Sequence, residues 1–118
     1  KSILLGIPAL KQLKIDLLLL KSLTVSNSSL EDRQVAIIVD CIPKLEMLDL
    51  SNNNIMAIGA QKLAGGLKYL KHLNLSICFH KSDNNYIKDD GVIYIINSLS
   101  SLTELHVSNS LLIQVSMG

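Results

Sequence analysis

Aromatic residues are scarce. The 118-residue chain has three tyrosines, one phenylalanine and no tryptophan. Any core must therefore be aliphatic, and a hydrophobic content of 48% is enough to build one rather than a disordered tail. There are only two cysteines, Cys41 and Cys78, which excludes a disulfide framework. Net charge is only +1, with a single arginine, Arg33, which argues against nucleic acid or an anionic membrane as partner. The longest apolar stretches are interrupted by Asp16, Lys21 or Asp40, so none spans a bilayer. No signal-peptide pattern opens the chain, which starts at Lys1 rather than Met and leaves an earlier segment open. The length suits one ordinary domain or part of a longer protein.

Chemistry-bearing motifs are equally sparse. No H-x-x-x-H or C-x-x-C spacing offers a metal site, although His72, His106, Glu104 and Asp49 could share one neighbourhood. No phosphate-binding G-x-x-x-x-G-K-[ST] loop is present. Cys78 and His80 share a loop without an orienting group, so they do not read as a nucleophile and base. The expectation is a non-catalytic chain without metal or cofactor.

What the sequence does contain is a repeat. LKSLTVSNSSL starts at Leu20, LEMLDLSNNNI at Leu45, LKHLNLSICFH at Leu70 and LTELHVSNSLL at Leu102. All four fit L-x-x-L-x-[LV]-S, and the alternation predicts a short strand in each. Between the strands a second signal recurs: Val35, Ile38, Val39 and Ile42; Ala60, Leu63, Ala64 and Leu67; Val92, Ile95, Ile96 and Leu99. These are i, i+3, i+4, i+7 sets, one face of an amphipathic helix. The unit is strand, loop, helix.

This pattern resembles the leucine-rich repeat. The longer helix and the IxxxGAxxLAxxL-like stretch at residues 55–67 resemble its ribonuclease-inhibitor-like and cysteine-containing subclasses. The resemblance implies an α/β fold: a right-handed leucine-rich-repeat solenoid, a horseshoe segment with parallel strands on the concave side and helices on the convex side. The expected organisation is one segment, 1–118, with a partial repeat at 1–19, repeats at 20–44, 45–69 and 70–101, and a partial repeat at 102–118. Neither end has a polar capping segment, so a fragment of a longer protein is expected, with the rest of that chain adjoining both ends.

The N-terminal reading has two branches. ALKQLKI at 9–15 also contains L-x-x-L-x-I, but the next strand motif follows Leu10 by only ten residues. Shifting the helix set back by 25 gives Leu10, Leu13, Lys14 and Leu17. The favoured reading is a helix over residues 8–18, with Pro8 in its first turn, where a missing N–H costs little. Lys14 would then snorkel at an edge. The other branch is a strand followed by missing residues.

Strand residues alternate in direction, so the leucines point inward and the others line the concave face. Three columns follow: Ser26, Ser51, Ser76, Ser108; Thr24, Asp49, Asn74, His106; and Ser22, Met47, His72, Glu104. Candidate binding residues are Met47, Asp49, His72, Asn74, Glu104 and His106. Phe79 and Tyr86 join them from the 79–90 loop, which holds a seven-residue insertion. Ser28, Asn53, Cys78 and Ser110 share the ninth place, which in leucine-rich repeats usually holds an inward Asn or Cys that bonds loop backbone; the resemblance implies a structural ladder there. Cys41 reads as a buried small residue, Gly65 and Gly66 as the close of a helix, and Asp89 and Asp90 as a helix N-cap and dipole partners.

The resemblance implies a protein–protein interaction scaffold, with an unidentified protein ligand on the concave face and the 79–90 loop. The other function it implies is a regulatory or sensor segment of a larger protein, such as a NOD-like immune receptor or a GTPase activator. Nucleic acid and membrane are not expected partners. The helix-rich subclass is mainly intracellular, so a cytoplasmic location is expected, and the sequons at Asn27 and Asn74 read as chance.

Overall fold

The computed structural model describes residues 2–76, 87–107 and 112–114, with side chains over 9–76, 87 and 91–107. The chain runs α1 (Ser2–Leu18), β1 (Ser22–Thr24), α2 (Asp32–Cys41), β2 (Met47–Asp49), α3 (Ala57–Gly66), β3 (His72–Asn74), α4 (Lys88–Ser98), β4 (Glu104–His106) and β5 (Leu112–Gln114). The strands form one sheet in sequence order. β1 to β4 pair in parallel, with Ser22 beside Met47, Met47 beside His72, and His72 beside Glu104. β1, β2 and β3 are each followed by a helix that returns the chain to the next strand, as an α/β repeat solenoid requires.

The alternating apolar residues explain why the units stack. Leu45, Leu48, Leu50, Leu70, Leu73, Leu75, Leu102 and Leu105 are buried under the sheet. Ala60, Leu63, Ala64 and Leu67 close the same core from α3, and Ile95 and Leu99 do so from α4. Val35 and Ile42 are buried from α2, while Ile38 and Val39 are only partly covered. A buried leucine stabilises by about 1.5–3 kcal/mol through burial alone, so these rows hold the solenoid together.

Small residues set how closely the helices approach. A Cβ on Gly59 would meet Asp32 Oδ1 at 2.3 Å, and one on Gly66 would meet Val39 Cγ1 at 2.1 Å. Gly66 therefore serves helix packing, and Gly65 and Gly66 do not close α3 through a left-handed turn as expected. None of the described glycines has positive φ; α3 ends at Leu67 (φ −98°, ψ 72°), whose N–H donates to the Leu63 carbonyl at 2.9 Å. Ile42 and Leu99 end α2 and α4 in the same way.

The ends depart from the sequence expectations. α1 begins at Ser2, so Pro8 lies in the helix interior rather than its first turn. The apolar run before Pro8 continues the helix on its N-terminal side. The 9–15 stretch is helical, not a strand. Leu17 packs on the core, but Leu10 and Leu13 are 64% and 52% exposed, because α1 touches α2 only over a small area. Cys41 is exposed rather than buried for the same reason: the end of α2 has little over it. At the other end, β5 pairs antiparallel with β4, with Leu105 opposite Ile113, a return strand that the repeat pattern did not announce. The N-cap of α4 is Ile87, so Asp89 and Asp90 lie within the first turn rather than at the cap.

Candidate functional site: the concave sheet face

The strand exits hold the site in shape. Asn53 is completely buried, a polar side chain inside an aliphatic core. Its Oδ1 accepts from the N–H groups of Ser28 and Leu30, both at 3.0 Å. Its Nδ2 donates to the carbonyls of Val25 at 2.8 Å, Leu50 at 2.9 Å and Ser51 at 3.2 Å. The turn out of each strand frees backbone groups, and one amide satisfies five of them across two adjacent loops. Ser28 occupies the equivalent place differently. Its side chain is exposed and its hydroxyl donates to the Ser26 carbonyl at 3.0 Å, so only its backbone joins the ladder. Ser28 follows β1, the edge strand, so among the described residues no preceding strand exit lies beside it to be bridged. Cys78 and Ser110 lie outside the described residues.

Asn27 and Asn52 adopt left-handed backbone angles (φ 56° and 55°), which asparagine tolerates better than most residues. The Asn52 amide donates to Asn27 Oδ1, tying the two turns side by side.

On the open face, six candidate residues come together. Met47, Asp49, His72, Asn74, Glu104 and His106 line one depression of about 210 Å³, with the strand backbone at Leu48 and Leu73 between them. The parallel register does this: one column aligns Met47, His72 and Glu104, and the next aligns Asp49, Asn74 and His106. Phe79, Tyr86 and Ser108 lie outside the described residues, as does the rest of 77–86, which includes most of the 79–90 loop.

Within the depression the polar groups have distinct duties. Glu104 Oε1 stands 3.3 Å from His72 Nδ1 and 3.8 Å from His106 Nε2. Asp49 Oδ1 accepts from the Ser51 N–H at 2.9 Å, and Asn74 Oδ1 accepts from the Ser76 N–H at 3.0 Å and its hydroxyl at 2.7 Å. Asp49 and Asn74 thus spend one oxygen each on shaping the strand exit. The signal for this was present in D-L-S and N-L-S: a short Asx side chain two residues before a serine readily bonds that backbone.

A row of charge beside the depression escaped the sequence reading. Lys21 Nζ meets Glu46 Oε2 at 3.0 Å, and Lys71 Nζ meets Glu46 Oε1 at 3.5 Å. The hydrogen bond from Lys21 and the charges of both lysines hold the Glu46 carboxyl below its ordinary value. The signal was the 25-residue spacing of Lys21, Glu46 and Lys71, which places opposite charges on neighbouring strands. Thr103 continues the row, its hydroxyl donating to the Lys71 carbonyl at 2.9 Å.

No group of three His, Cys, Asp or Glu side chains among the described residues is arranged to hold a metal ion. No helix among them is long and apolar enough to cross a membrane. The face therefore offers hydrogen bonds, charge and the Met47 side chain as contact groups.

No curated protein matches the chain. Residues 43–91 match the model of a family described as leucine-rich repeats, in two copies. That segment runs from the approach to β2 into α4, and the solenoid containing it has the leucine-rich-repeat fold.

Proposed function

We propose that this chain is a non-catalytic protein-recognition scaffold whose partner lies against the concave strand face. Leucine-rich repeats are typically protein-interaction modules, and the family is generally non-enzymatic. The observation that carries the reading is the shared depression, where residues from three neighbouring strands present polar groups side by side. A face built this way is preformed, because its backbone is fixed by strand pairing and by the Asn53 bonds behind it. Preformed surfaces pay less ordering entropy on binding. The ribonuclease-inhibitor-like or cysteine-containing subclass, and with it an intracellular setting, rests on the stretch at 55–67, where α3 packs through Gly59, Ala60, Leu63 and Ala64.

The test is affinity capture with three immobilised proteins. These are the wild type, a triple Asp49→Asn, His72→Ala, Glu104→Gln variant, and a Lys62→Glu control on the helical side. Partner capture is expected to survive in the control and to disappear in the triple variant, with native circular dichroism in all three. Equal capture by the triple variant would overturn the reading.

A further inference from the structure

We infer that the concave depression receives arginine side chains from an extended segment of its partner, an inference that rests on the recognition reading above. Among the described residues, two carboxylates, Asp49 and Glu104, line the depression, and no lysine or arginine does. The two lysines nearest in sequence on these strands, Lys21 and Lys71, are both turned onto Glu46 in the adjoining row. Asp49 has no basic partner within ion-pair distance among the described residues; its one hydrogen bond there comes from a backbone N–H. Among the described residues Glu104 is met only by two imidazoles, and a neutral imidazole donates a hydrogen bond without cancelling the carboxylate charge. Among the described residues, therefore, the depression holds two carboxylates that no lysine or arginine pairs with, in a chain whose net charge is +1 with the histidines neutral.

The surroundings of the carboxylates select among cations. Met47 is half-buried and gives an apolar bank beside them, suited to the methylene stem of a long basic side chain. His72 stands between Met47 and Glu104 in the column and presents an aromatic plane. A guanidinium stacks on such a plane while pairing with a carboxylate in its own plane, which an ammonium cannot do. A partially apolar bank, an aromatic ring and a carboxylate in one row fit arginine better than lysine or a metal ion.

Geometry sets the number. Asp49 is on β2 and Glu104 on β4, two strand spacings across and two residues along, or roughly 12 Å apart. One guanidinium cannot meet both. In an extended segment, side chains at i and i+2 share a face and lie about 7 Å apart, and two arginine arms splay over the rest. An Arg-x-Arg segment crossing the strands satisfies both carboxylates at once.

The probe is the peptide acetyl-Gly-Arg-Ala-Arg-Gly-amide, titrated into the isotopically labelled chain at pH 7.5 and low salt, with the Glu-x-Glu and Lys-x-Lys peptides as comparisons. Amide shifts are expected at 47–49, 72–74 and 104–106 with the arginine peptide. Binding should weaken at least tenfold in the Asp49→Asn, Glu104→Gln double variant, and severalfold on raising the salt. Stronger binding of the glutamate peptide, equal binding of the lysine peptide, or no shifts on these strands would overturn the inference. The variant's dispersed spectrum checks its fold. If the arginine peptide fails while the triple variant above still loses its captured partner, the recognition reading stands and only the arginine assignment falls.

Discussion

The turn that begins at Leu20 and the turn that begins at Leu45 carry the same pattern, yet they are not equally buried. Leu45, Leu48, Leu50 and Ile55 are completely buried, whereas Leu20, Leu23, Val25 and Leu30 are only half-buried against the same core. The second turn has a parallel strand on each side; the first is the last strand of the sheet. What separates them is neighbours, not residue type. In a solenoid a position gains its stabilising value from the units that flank it.

The largest test of that comparison is a pair of truncations. Leu48→Ala should destabilise by about 4 kcal/mol, because the strands on both sides prevent the cavity from collapsing. Leu23→Ala should cost less than half as much. Denaturant melts read the difference, and equal losses would break the account.

The loop ladder sharpens it next. Asn53→Leu removes five hydrogen bonds to backbone groups of two loops and should cost about 3 kcal/mol. Ser28→Ala, at the equivalent place, removes one exposed hydroxyl bond and should leave the melting temperature nearly unchanged.

Glycines give the third contrast. Gly59→Ala drives a methyl into Asp32, whose Oδ1 also accepts the Met56 N–H at 2.8 Å, and should cost about 1–3 kcal/mol. Gly65→Ala meets nothing within 4 Å and should instead stabilise α3 by about 0.5–1 kcal/mol. A thermal melt of each variant shows the sign.

The smallest expected effect concerns pH. The Glu46 carboxyl is held low in the folded chain by Lys21 and Lys71. Its contribution is present above the unfolded carboxyl's titration and fades as pH falls through the lowered folded value. Glu46→Gln should therefore flatten the acid side of the stability profile slightly and leave neutral stability little changed, since the group is exposed and screened. Parallel urea melts at pH 3 and pH 7 check this.

Much of the architecture was legible because it depends on period alone. Alternation marks the four parallel strands, and i, i+3, i+4, i+7 spacing marks the three helices after β1, β2 and β3. The fixed 25-residue step then brings Met47 beside His72 and Asp49 beside Asn74. The rest depends on what faces a residue across the core. Leu10 and Leu13 have the right spacing for burial, but no neighbour covers them. Cys41 is small and apolar, yet it borders a groove of about 260 Å³ between α1 and α2. The antiparallel return of β5 uses residues whose repeat pattern has already ended. On the concave face, Asp49 and Asn74 were legible as outward residues, but not their bonds to Ser51 and Ser76.

Hydrogen exchange on the partner-bound chain tests the central claim, recognition through the strand face, most directly. The account predicts slower amide exchange at 46–50, 71–75 and 104–106 on binding, with exchange in α3 and α4 unchanged. Protection confined to α3 and α4, with the strand segments unaffected, would contradict it.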